Sequence, residues 1–229
     1  MRLHPRLAAC VLALASAQSF AGIVAGTTTG VWVDSVANTG VLDQAGLGTS
    51  QYAWGQSSDA RQPRNSIAFT ATAGFSSVTE TPFKIGTISF FNGSVYNGDL
   101  GSLDLELTLD FGAPTIPSVT SDYTLHFVNT PNTGDPDGDA DYVYLPSVFD
   151  TTTFLIDGVT YGVRLVAFEN IVGDGFLASN DLALHVREDS SATADLYAVV
   201  TSSVPEPQDI ALMLAGLGIT GLMARRRRA

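Results

Sequence analysis

Cysteine is almost missing from this chain: Cys10 is the only one among 229 residues. It sits in an N-terminal stretch read below as a cleavable leader. The mature chain then has no thiol for disulfides, thiolate catalysis or a cysteine metal site. Basic residues are scarce too. Between residues 22 and 204 there are five, Arg61, Arg64, Lys84, Arg164 and Arg187, against 21 acidic ones, a net charge of −16. Such a surface repels nucleic acid and anionic lipid, and it leaves divalent cations and neutral or basic partners. The same span holds two histidines, His126 and His185. Neither has a zinc-ligand spacing, and no Gly-x-Ser-x-Gly elbow is present. A convincing helical period is missing as well.

What is present reads as strands. In "SLDLELTLDF", Ser102–Phe111, the residues Leu103, Leu105, Leu107, Leu109 and Phe111 alternate with Asp104, Glu106, Thr108 and Asp110. Period two puts the first set inward and the second toward water. "FKIGTISFF", "DYTLHFV", "TTFLIDG", "VTYGVRLVAF", "LALHVRE" and "DLYAVVTS" are similar in length and rich in β-branched and aromatic residues. Asn-Gly, Asp-Gly and Gly-Asp pairs separate many of them. About ten short strands divided by turn signals predict an all-β domain, an antiparallel β-sandwich of jelly-roll-like form.

Both ends are unlike the middle. Arg2 and Arg6 precede the apolar Leu7–Ala15, and Ser19-Phe20-Ala21 supplies small residues for cleavage before Gly22. That order is a secretory signal peptide over residues 1–21, cut by signal peptidase. At the other end, Pro205-Glu206-Pro207 leads into fifteen apolar residues, Ile210–Ala224, and then Arg225, Arg226, Arg227 and Arg228. As a transmembrane helix the run reaches about 22 Å, short for a hydrocarbon core of about 30 Å. The arginines stay cytoplasmic, because each costs about 2.5–3.5 kcal/mol at the membrane centre. The two prolines keep Glu206 extended and accessible above the bilayer.

Residues 205–229 resemble the PEP-CTERM sorting signal of Gram-negative bacteria. The resemblance implies an exosortase that removes the tail, a transient inner-membrane tether, and delivery to the cell surface or the extracellular matrix. It also ties the chain to bacteria that make exopolysaccharide. Gln208-Asp209 departs from the small hydroxyl residues often found after the motif. Residues 22–200 are the expected domain, and 201–204 its linker to the signal. Within that domain "GVWVDS", "SQYAWG", "NSIAFTA", "PFKIGTISFFNGSVYNGD", "DPDGDADYVYLP" and "TFLIDGVTYGVRLVAF" are together similar to the choice-of-anchor K domain. That family implies a surface β-domain, and it brings no catalytic residue to carry over.

Four candidate chemistries remain. "GDPDGDADY" sets Asp135, Asp137, Asp139 and Asp141 at alternate positions, a carboxylate density that suits Ca²⁺. It is no EF-hand loop, since Ala140 stands at the sixth position and Pro146 at the twelfth. A solvated acidic turn built by Pro136 and Gly138 explains the same residues. "GDG" at Gly173–Gly175 and Asn180-Asp181 offer further oxygen ligands or ordinary turns. Asp104, Glu106 and Asp110 share one strand face at spacings compatible with glycosidase carboxylates, though any outward polar face looks alike. Trp32, Tyr52, Trp54 and Tyr96 either stack on sugars or fill the core, and core is the expectation. His126 and His185 fall opposite the apolar members of their strands, at the surface. The chain therefore reads as a non-enzymatic, exported surface or matrix protein linked to exopolysaccharide. The alternative is a secreted carbohydrate-binding module or glycoside-active enzyme.

Overall fold

The alternation in "SLDLELTLDF" is physically real. Leu103, Leu105, Leu107 and Leu109 have no exposed surface, while Asp104, Glu106 and Thr108 lie on the other side of the strand. A computed structural model describes residues 23–57, 61–112, 118–135, 137–146, 152–156, 159–177, 181–202 and Leu217. The leader, Ser203-Val204 and the sorting residues Pro205, Glu206, Pro207 and Arg225–Arg228 lie outside the described residues. Among the described residues no helix is long and apolar enough to cross a membrane.

Among the described residues the domain is built of strands. They run β1 (Ile23–Ala37), β2 (Gln44–Ala45), β3 (Gln51–Trp54), β4 (Gln56–Ser57), β5 (Asn65–Ala71), β6 (Phe75–Val78), β7 (Phe83–Asn92) and β8 (Val95–Tyr96). Then come β9 (Leu100–Asp110), β10 (Val119–Val128), β11 (Asp141–Tyr144), β12 (Thr153–Ile156), β13 (Val159–Gly173), β14 (Gly175–Leu177), β15 (Ala183–Val186) and β16 (Ser190–Ser202). One seven-stranded sheet has the order β14-β15-β11-β10-β9-β1-β6, and a second has β12-β13-β16-β7-β5-β3-β2. β4 and β8 form a separate ribbon. Pairing is antiparallel throughout, for instance Trp32↔Leu105 between β1 and β9, and Tyr123↔Leu105 between β10 and β9. The expectation of an all-β antiparallel fold is met.

The sheets press their apolar faces together. Phe127 of the first sheet meets Trp54 and Phe90 of the second edge-on, at ring distances of 5.5 and 6.1 Å. Phe75 stacks on Phe83 at 4.7 Å across the same gap. Each buried leucine or phenylalanine stabilises the fold by about 1.5–3 kcal/mol. Two glycines shape this interior. The Phe69 ring lies over Gly30 of β1 and Gly86 of β7, where any Cβ would run into it. Two polar side chains bridge the sheets: the Thr28 hydroxyl donates to the Ile85 carbonyl at 2.6 Å, and Asn92 Nδ2 to the Val186 carbonyl at 3.0 Å.

Three features differ from the sequence reading. β1 and β13 each run for fifteen residues rather than being short. β1 escapes pattern detection because its inward positions include Thr28 and Gly30 beside Trp32. Finally, β16 continues through Thr201 and Ser202, which pair with Gly162 and Tyr161. Those two residues belong to the sheet and not to a linker, since their backbone groups are taken up by β13.

Candidate functional site

The acidic turn after β10 is held by its own hydrogen bonds. Asp139 is 4 % exposed, and its carboxylate accepts from the Thr133 hydroxyl at 2.7 Å and from the Thr133 and Gly134 N–H groups at 2.8 and 2.6 Å. These bonds, the Thr133 hydroxyl foremost, hold its pKa below the usual carboxylate range. Asp141 begins β11 and is 5 % exposed, with Thr130 N–H donating to it at 2.8 Å. Burial dominates here and pushes its pKa up to about 7, helped by the nearby charges of Glu188 and Asp99 and opposed by the Thr130 bonds. Asp137 points elsewhere, to Arg187 Nε at 2.7 Å, and the Asp135 backbone carbonyl accepts from the Asp139 N–H at 2.8 Å. Asp135, Asp137, Asp139 and Asp141 thus serve different protein partners. Among the described residues no group of three or more histidine or acidic side chains is arranged to hold a metal.

A second acidic group lies on the outer face of the first sheet, where Asp104 and Glu106 point together. A register shift between Trp32 and Asp34 is what completes it. Trp32 faces the core; two residues later Asp34 should do the same, but the bulge turns it outward beside Asp104. Glu106 pairs in turn with Asp122 of β10. Two like-charged pairs therefore stand directly opposite each other, an arrangement that destabilises a sheet. Asp110 does not join them; its carboxylate accepts from the Gly112 N–H at 2.9 Å and closes the following turn.

The same face continues into aromatic rings that the sequence reading passed over. His185 of β15 lies between Tyr142 of β11 and Phe176 of β14, with ring distances of 4.0 and 4.7 Å. Tyr144 stands 6.1 Å from Tyr142 and pairs with His126 of β10. The Arg187 guanidinium sits 5.6 Å from the centre of the Phe176 ring. Burial lowers the pKa of His185. Both histidines face outward, as expected from their strands. The sequence signal for this cluster was "DYVY", two tyrosines on the polar side of a strand whose other side is apolar.

The aromatics singled out from sequence mostly belong to the core. Trp32, Tyr52 and Trp54 are at most 2 % exposed, whereas Tyr96 is 64 % exposed. Tyr52 donates its hydroxyl to Gln44 at 2.5 Å. On the outer face of the second sheet an open groove of about 540 Å³ is lined by Gly46, Thr49, Gln51, Ser66, Ser89 and Phe91, with no charged side chain. Farther along that face Lys84 Nζ lies 2.6 Å from Asp195, whose carboxylate also accepts from Thr87 and Asn170. In "GDG", Asp174 lies 4.0 Å from Arg187; Asn180 is outside the described residues.

No protein-family model matches the chain, and no curated protein matches it significantly. The likenesses to a sorting signal and to an anchor domain rest on the quoted motifs alone.

Proposed function

We propose that this chain is an exported, non-enzymatic surface or matrix protein, delivered by its tail and associated with exopolysaccharide. The order of residues at 205–228 carries the reading: Pro-Glu-Pro, a short apolar run, then four arginines. That signal starts within three residues of Ser202, the last residue of β16. Signal peptidase acts at residues 21–22, the apolar run dwells briefly in the inner membrane, and exosortase recognises Glu206 between its prolines. The domain delivered is a jelly-roll-like sandwich similar to choice-of-anchor K. In support, the chain crosses repeatedly between the two sheets, as in β6 to β7, β7 to β9, β11 to β12 and β15 to β16. Mass spectrometry of the protein released from the cell surface tests this. Loss of the peptide carrying Arg225–Arg228 is expected; an intact C-terminus on surface protein refutes the sorting role.

The second reading is a glycoside-active enzyme, favoured by the outward carboxylates of Asp104 and Glu106 on adjacent outward positions of β9. Such side chains stand about 7 Å apart, within the range of glycosidase pairs. An exopolysaccharide turnover screen decides. Activity that vanishes in Glu106→Gln establishes the enzyme and ends the non-enzymatic proposal.

A further inference from the structure

Two features of the first sheet's outer face adjoin each other. Outward residues along β10 are Val128, His126, Thr124 and Asp122, and each leads a row that crosses neighbouring strands. The Val128 row holds Tyr142, His185 and Phe176, and the His126 row holds Tyr144, Ser102 and Val36. The Thr124 row holds Asp104 and Asp34, and the Asp122 row holds Glu106. The four rows cover about 20 Å along the strands, and the aromatic row about 14 Å across them. Val128 and Val36 remain 42 % and 58 % exposed, and Tyr142, Tyr144, His185 and Phe176 beside them are half-buried.

Rings and carboxylates in this order fit one chemistry. A pyranose ring has an apolar face of C–H bonds that packs on an aromatic ring, while its edge substituents need polar partners. The four carboxylates select among substituents. Asp104 faces Asp34, whose carboxylate accepts from the Ser35 N–H at 2.8 Å, and Glu106 faces Asp122. Among the described residues no basic side chain forms an ion pair with any of the four. A cationic ligand relieves this repulsion, whereas a polyuronate or a nucleic acid adds to it.

We propose that this face binds a polysaccharide of amino-bearing pyranose rings, with rings on Tyr142 and Tyr144 and ammonium groups at Asp34, Asp104, Glu106 and Asp122. By register Tyr144 of β11 and Asp104 of β9 stand two strands and two residues apart, about 12 Å, so a chain of several rings is needed to reach both halves of the face. The inference deepens the exopolysaccharide association proposed above by naming the sugar. It does not depend on how the tail is processed.

The test is calorimetry on the purified full chain in mild detergent, with a glucosamine hexamer, its N-acetylated counterpart and an oligouronate. The glucosamine oligomer should bind most tightly and weaken with added salt, and the oligouronate should not bind. Tyr142→Ala and Tyr144→Ala should each weaken binding about fivefold to tenfold, the loss of one aromatic contact. Asp104→Asn with Glu106→Gln should flatten the salt dependence and bring the glucosamine oligomer down to its N-acetylated counterpart. All these residues point outward, so unchanged melting temperatures will separate lost binding from lost folding. Unchanged affinity in both tyrosine variants, or equal binding of the oligouronate, overturns the proposal. Either result leaves the sorting role to be judged by its own mass-spectrometric test.

Discussion

Replacing Asp141 by asparagine should stabilise the protein above neutral pH, although it removes a carboxylate with two hydrogen-bonded contacts. Burial raises the Asp141 pKa from 3.8 to about 7. Between those values the folded chain holds a proton that the unfolded chain releases, so stability falls as pH rises through the window. Over about three pH units at about 1.36 kcal/mol each, the charged form costs at most about 4 kcal/mol above pH 7. Asparagine keeps an acceptor for the Thr130 N–H, which now donates at 2.8 Å, and carries no charge near Glu188. Urea unfolding of both proteins at pH 4.5, 6 and 8 reads the effect. The two should lie within about 1 kcal/mol of each other at pH 4.5 and diverge up to about pH 7, with the variant ahead at pH 8 by up to about 4 kcal/mol. Stability curves that stay parallel, or a variant less stable at pH 8, would refute the burial argument.

Gly30→Ala places a Cβ 2.6 Å from the Phe69 ring, so it should cost about 1–3 kcal/mol by overpacking, visible as a lower urea midpoint at unchanged slope. Trp54→Ala removes a ring that stacks on Tyr52 at 5.7 Å and Phe90 at 5.8 Å; a loss of about 3–5 kcal/mol is expected, and a loss under about 1 kcal/mol would contradict its place in the core. Because the carboxylates of Asp137 and Asp139 already meet protein donors, Ca²⁺ and Mg²⁺ at matched ionic strength should raise the melting temperature alike. A Ca²⁺-specific rise that disappears in Asp137→Asn and Asp139→Asn would instead establish an ion site.

The sequence disclosed whatever depended on strict alternation. β9 was readable because its inward residues are leucines and its outward ones acidic or threonine, and the burial of Trp32 and Trp54 followed from their size. β1 was not readable as a strand, since the space inside it is filled by the Phe69 ring over Gly30 and by a Thr28 hydroxyl bonded to β7. A local pattern cannot report a partner fifty-seven residues away. The acidic turn was visible as composition, but the partners of its aspartates were not, because Arg187 arrives from beyond β15. The cluster on the outer face needed both pairing and register. Tyr142, His185 and Phe176 are scattered in sequence and meet only through β11, β15 and β14, and Asp34 joins Asp104 only through a bulge.

The outermost strands of both sheets, β14, β6, β12 and β2, have four residues or fewer. Two of them cover only part of the long strand they border: β12 pairs with Val159–Gly162 of β13, and β6 with Ile23–Gly26 of β1. These rim strands therefore block a neighbouring copy from adding a strand over those four-residue stretches alone. For a protein proposed to stand in dense ranks at a cell surface, the stretch of β13 beyond Gly162 is the place where such pairing between copies would begin.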